Sequence, residues 1–167
     1  MTRMNIDSLK KLYVHELKDL WSAENQLMAI LPDAIEAAGH GDLKRALESH
    51  QNETEGQIGR LETIFQDLDF GAGGHRCEGM AGLIRELKDA FGSDVHNGVR
   101  DAMIIAALQR IEHYEMAGYG VARTFAEKLG DYTASDLLQA SLDEEGAADR
   151  KLTRLAERSL NFEALSN

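Results

Sequence analysis

Apolar residues return at intervals of three and four along almost the whole chain, and no stretch sustains the β-branched alternation of a strand. The first such segment runs from about Asp7 into the thirties and carries Leu9, Tyr13, Leu17, Leu20, Leu27 and Leu31, with Pro32 a candidate kink near its end. A Gly39-His40-Gly41 break follows, after which Asp42 is the expected N-cap of a second helix bearing Leu43, Leu47, Leu61, Ile64 and Leu68. Gly71, Gly73 and Gly74 end that helix. Glu78 to about Phe91 reads as a short amphipathic helix inside a connection of roughly 25 to 30 residues. A third long helix is expected from Gly98 or Val99 to Leu129, closed by Gly130 at C′. The fourth should start at a Thr133 cap, with Asp136 three places on, and continue to about Ser159.

Two helices joined by a tight turn, a long crossover, and two more helices joined by a tight turn predict an all-α, ferritin-like four-helix bundle. A bundle that merely runs up and down would need no long middle connection. The amphipathic centre of residues 69 to 97 argues that the crossover packs and is not a surface excursion. Leu, Ala, Glu, Lys, Gln and Met dominate the composition, as helices prefer, and 167 residues with 43% hydrophobic content suffice for a single domain with one sizeable core, spanning 1–167.

Charge narrows the partners. Eighteen Lys and Arg against 29 Asp and Glu leave a formal net charge of −11, contrary to what phosphate-backbone binding or an anionic membrane surface requires. No nucleic acid and no membrane are therefore expected. The first residues have no uninterrupted apolar run, and nowhere do about 18 apolar residues follow one another, so a cytoplasmic protein is expected. The single cysteine, Cys77, can form neither an internal disulfide nor a C-x-x-C metal knot. Phosphate-loop, serine-hydrolase and dinucleotide-binding motifs are absent from the sequence.

The informative chemistry lies in the polar residues that interrupt the apolar stripes. Leu20, Glu24, Leu27 and Leu31 step by 4, 3 and 4, which puts Glu24 on the inward line of the first helix. His50 and Glu53 continue the line of Leu43 and Leu47 on the second, which then passes through Gln57 to Leu61. On the third, Leu108, Glu112, Glu115 and Tyr119 share one face. On the fourth, Leu138, Leu142, Glu145, Asp149 and Leu152 do so, with Glu144 just off the line and within reach of the core after a small rotation. The heights agree as well. Glu24 lies roughly 26 Å along its helix from Asp7, and Glu53 about 17 Å beyond Asp42 on the returning helix. Carboxylates crowded into a low-dielectric core persist only if protonated, paired with bases, or bound to cations, and the inward stripes carry no Lys or Arg among these acids. An oxygen-rich donor set with one imidazole suits Fe or Mn, and so many acids point to a dinuclear centre. Tyr119 reads first as a plain core residue, with a hydroxyl donor to a ligand carboxylate or a redox-active neighbour as the alternatives.

The segments that carry this pattern are SAENQL, SHQNETEGQIGRLE, RIEHYEMAGYG and LDEEGAADRKLTRLA. They closely resemble those of the YciE/YciF family of bacterial ferritin-like stress proteins, over about Asp7 to Arg158. The resemblance implies a ferritin-like fold, a homodimer, and expression linked to general or osmotic stress. Beside the wider rubrerythrin and bacterioferritin group, Glu24 and Glu53 match the acids of the first two helices, Glu112 and Glu115 resemble a Glu-x-x-Glu pair, and Glu144 or Glu145 matches the acid of the fourth. That group has Glu-x-x-His on the second and fourth helices, where this sequence has Gly56 and Ala147 or Ala148, so His50 and Asp149 are the substitutes from neighbouring turns. No four-cysteine rubredoxin module accompanies the bundle.

These readings converge on a dinuclear Fe or Mn site that handles peroxide or oxidises Fe(II), with Glu53 and Glu145 bridging and Glu24 and Glu112 terminal. His50, Glu115, Glu144 and Asp149 would supplement them. The competing expectation is a non-catalytic stress dimer whose acidic core is a relic and which acts through partner binding.

Overall fold

The computed structural model describes residues 6–92 and 94–165, and its regular structure is entirely helical. Helix α1 spans Leu9–Ala37 and begins where Ser8 Oγ accepts a hydrogen bond from the Lys11 amide at 3.3 Å. It runs uninterrupted through Pro32. Helix α2, Gly41–Asp67, is capped by His40, whose Nδ1 accepts from the Asp42 amide at 3.1 Å, and not by Asp42 itself, which sits in the first turn. The short helix α3 covers Glu78–Phe91, as its periodicity predicts. Helix α4 runs Asn97–Leu129, capped by His96 one to two residues earlier than expected, and ends on Gly130 with φ 82°, a left-handed conformation that suits glycine. Helix α5, Tyr132–Leu155, is capped by Asp131 and not by Thr133, because the Asp131 carboxylate reaches the Ala134 amide at 3.0 Å. A π-helical turn, Ala156–Leu160, and a last short helix, α6 (Asn161–Leu165), follow.

The order of buried residues along each helix gives the topology. One apolar cluster contains Leu27 and Leu31 of α1, Leu43 and Leu47 of α2, Ile104 to Ile111 of α4 and Leu152 of α5. A second contains Tyr13 to Leu20 of α1, Leu61 to Phe65 of α2, Tyr119 to Ala126 of α4 and Leu138 of α5. Helices α1 and α5 therefore run from the second cluster to the first, and α2 and α4 from the first to the second. Since α2 and α4 point the same way, the chain between them must travel back along the molecule. The crossover does this as packed structure. Cys77, Met80, Leu87 and Ala90 belong to the first cluster, and α3 lies against α1 and α4.

Close approach between α1 and α4 depends on Gly118, where a Cβ would stand 2.8 Å from Leu20 Cδ2. The α1–α2 turn is held from α4. Buried Asp101 accepts hydrogen bonds from the Gly39 and His40 amides at 2.7 and 2.8 Å, so its role goes beyond the helix-dipole placement that its sequence position suggests. Asp101→Ala should therefore lower unfolding free energy by about 2–3 kcal/mol in a urea titration, because two amides of the turn lose a buried carboxylate acceptor together. A loss below about 0.5 kcal/mol would show that the turn is held by packing alone.

Candidate metal centre

Between the two apolar clusters lies a polar layer, and every long helix contributes to it. Glu24 of α1 falls between Leu20 and Leu27, His50 of α2 between Leu47 and Leu61, Glu112 and Glu115 of α4 between Ile111 and Tyr119, and Glu145 of α5 between Leu138 and Leu152. Glu24, Glu115 and Glu145 have no solvent exposure, Glu112 has 1% and His50 4%. His50, Glu112, Glu115 and Glu145 each offer one donor atom within 4.8 Å of the others. His50 Nε2 lies 3.3 Å from Glu112 Oε1, and Nδ1 lies 3.6 Å from Glu53 Oε2, but neither contact has hydrogen-bond geometry.

The remaining acids of the sequence pattern stand at the edge of this group or outside it. Glu24 accepts a hydrogen bond from the Tyr119 hydroxyl through Oε1, while its Oε2 is unpartnered. Tyr119 is thus a core residue of the second apolar cluster that also donates its hydroxyl to Glu24. Glu53 is partly exposed beside His50 and accepts from Ser49 Oγ at 3.3 Å. Asp149 faces another way, accepting from Gln109 Nε2 at 2.9 Å with His113 Nε2 3.7 Å distant. Of the two adjacent acids on α5, Glu145 turns inward and Glu144 turns to Arg60, which donates to its two oxygens at 2.6 and 2.7 Å. Arg60 lies off the inward stripe, so the stripe pattern gave no sign of it. The buried Thr54 and Gln57 line the same part of α2, and Gln57 Nε2 also donates to Glu144 at 3.2 Å.

The electrostatics follow from this partition. Burial raises the carboxyls of Glu24, Glu112 and Glu115 well above the ordinary carboxylate range, and mutual repulsion raises them further. Glu145 is also raised by burial, with Glu112 and His50 acting in the opposite direction. Glu53, by contrast, is lowered by the His50 imidazole beside it, although its partial burial opposes the shift. Donor chemistry and hydrogen-bond accounting agree that the group fits a metal ion. Glu115 and Glu145 leave both carboxyl oxygens buried without a hydrogen-bond partner, Glu112 leaves one, and both His50 nitrogens are unpartnered. Three carboxylates and one imidazole are a hard donor set suited to Fe or Mn.

A separate network joins the crossover to α1 and α4. The Cys77 thiol lies 2.9 Å from the Tyr114 hydroxyl and donates to Asp19 at 3.1 Å, Tyr114 donates to Asp19 at 2.8 Å, and His75 Nε2 is 2.7 Å from the same carboxylate. Cys77 and His75, which have no partner spacing in the sequence, are thus structural anchors of the crossover. Burial raises the Cys77 thiol, leaving it a poor nucleophile.

An all-helical chain with a buried carboxylate and imidazole layer is the class that these observations define. The chain belongs to the family described as a domain of unknown function, DUF892, which matches residues 8–165. It is 40% identical over 162 residues to the protein YciF of Escherichia coli K12, covering 96% of this chain and 98% of that protein. The crystal structure of that E. coli stress protein matches with a TM-score of 0.90 at 39% identity, over 93% of this chain and 99% of the other. YcfI from Rhodopseudomonas palustris matches with a TM-score of 0.86 at 38% identity, over 92% and 97%. A protein from Xanthomonas campestris shares the fold at 18% identity, with a TM-score of 0.69 over 89% of this chain and 90% of the other. The family-level resemblance of the four acidic segments is therefore correct.

The raised carboxyls set the pH dependence of the metal-free protein. From the ordinary value of 4.5 upward, the native state holds protons on Glu24, Glu112 and Glu115 that the unfolded chain has released, so stability falls as pH rises through that window. Chelator-treated protein should melt at least about 4 °C higher at pH 5 than at pH 8, since each tenfold gain in a carboxyl's proton affinity on folding is worth about 1.4 kcal/mol. Equal melting temperatures would mean that the layer is hydrated and carries no such cost.

Proposed function

We propose that this chain is a ferritin-like four-helix bundle whose central polar layer binds Fe or Mn and uses it for peroxide reduction or Fe(II) oxidation under stress. The observation that carries the reading is the convergence of His50, Glu112, Glu115 and Glu145 within 4.8 Å, with buried donor atoms that no protein group satisfies. These four residues would hold one ion. Glu24, with one free oxygen inside the layer, and Glu53, on the other side of His50, extend the donors toward a second and so support a dinuclear site. Glu144 and Asp149 would act outside the donor set, since Arg60 and Gln109 engage them. A bound Fe or Mn supplies one-electron redox chemistry at each ion. The chain's own residues do the rest: His50 and the acids orient the ion, the two apolar clusters exclude water, and Tyr119 fixes one Glu24 oxygen.

The stress association comes with the YciF likeness, and the same reading includes a homodimer and a cytoplasmic setting. Net charge supports the expectation that neither nucleic acid nor membrane is a partner, and among the described residues no helix is long and apolar enough to cross a membrane. The competing non-catalytic dimer draws support from the Arg60–Glu144 pair, which removes one acid from the donor set.

Metal analysis after purification without chelator separates the two readings. The metal reading expects one to two equivalents of Fe or Mn, falling at least tenfold in affinity in Glu112→Gln and Glu145→Gln, together with peroxide consumption or Fe(II) oxidation by the loaded protein. Substoichiometric metal in the parent protein, or binding that both variants retain, would favour the non-catalytic dimer.

A further inference from the structure

A cavity of about 190 Å³ opens between α2, α4 and α5 and ends on the polar layer. Its floor is His50 and Glu112, two members of the buried donor group. Its walls are apolar: Ala46, Leu47, Leu108 and Leu152, all at least 95% buried. Glu53 and Lys151 lie toward the mouth with Arg154, and Ala147 and Ala148 line the α5 side.

Size and lining decide what such a cavity can take. Its volume equals that of roughly six waters at about 30 Å³ each, whereas hydrogen peroxide needs little more than one or two. A passage for hydrogen peroxide alone would be narrower and would offer hydrogen-bond partners along its length. Here the polar groups stand at the floor and the mouth, and the walls between them reward apolar surface.

We infer that the cavity is the binding site of an organic hydroperoxide, its organic group against Leu47, Leu108 and Leu152 and its peroxy group at the His50–Glu112 floor. The inference rests on the peroxide reading of the site and names its substrate class. The reaction is a two-electron reduction. The O–O bond breaks, one oxygen leaves as the alcohol and the other as water, with two protons taken from solvent. His50 and the layer's carboxylates would hold divalent Fe or Mn, which would supply the two electrons in a single turnover, one from each of two ions. His50 and Glu112, at the floor, are placed to orient the peroxy end, and Lys151 offsets the charge of Glu53 at the entrance.

Two measurements on the full chain test this. In the first, metal-free protein is titrated with cumyl alcohol, the redox-inert product of cumene hydroperoxide, and leucine methyl resonances are followed by NMR. Saturable shifts at Leu47, Leu108 and Leu152 are expected, and they should be lost in Ala148→Phe, which narrows the entrance from a half-buried position. Ala147→Phe, at an exposed position on the same side, serves if the first variant folds poorly. In the second, Fe(II)- or Mn(II)-loaded protein is given cumene hydroperoxide or hydrogen peroxide. The organic substrate should oxidise the loaded protein with a second-order single-turnover rate constant at least tenfold higher, and the Ala148→Phe change should reduce that ratio at least tenfold. Hydrogen peroxide turnover without preference and without methyl shifts would overturn the organic-substrate inference and leave the peroxide reading standing. Saturable alcohol binding with no turnover of either peroxide would overturn the peroxide reading and the substrate assignment with it.

Discussion

The structure depends on how four buried carboxyl groups and one imidazole are tolerated in the middle of an apolar core. Moving a carboxylate from water into such a layer costs several kcal/mol, and bringing three more beside it adds repulsion. The protein meets part of this with its own groups. Tyr119 satisfies one Glu24 oxygen. Both oxygens of Glu115 and of Glu145 are left over, and among the described residues no Lys or Arg is buried in the layer to take them. Arg60 stays outside with Glu144. A folded chain that retains this imbalance invests stability in a site.

That investment explains the topology around it. Each long helix is apolar above and below the layer, so the two clusters hold the acids at one height and keep bulk water from both ends. Parallel α2 and α4 stand diagonally across the layer, each packed against α1 and α5, so His50 and the Glu112–Glu115 pair meet from opposite sides, and the packed crossover makes that arrangement possible. The crossover is pinned in turn by Cys77, Tyr114, Asp19 and His75. The turn between α1 and α2 is pinned by Asp101.

Much of this was legible in the sequence because helical periodicity is strict. Glu24, His50, Glu112 and Glu115 each sit three or four places from a buried leucine or tyrosine and Glu145 three from the half-buried Leu142, and the structure buries all five. Periodicity was silent where partners come from different helices. It could not separate Glu144 from Glu145, because one residue's rotation decides which faces Arg60, and Arg60 is 84 residues away in the chain. It likewise missed Asp101 as an acceptor for the Gly39 amide 62 residues earlier. The caps were displaced for a local reason: His40 and Asp131 can each reach an amide of the first turn, and the residue nearest the break in the pattern is not always the one that does.

The most direct measurement is an anomalous-difference map from crystals of protein grown without chelator, recorded on both sides of the Fe and Mn absorption edges. A peak at one of those edges among His50, Glu112, Glu115 and Glu145 is the predicted result. A layer filled only by ordered water, with the buried carboxyls hydrogen-bonded to it and to one another and no anomalous signal, would contradict it.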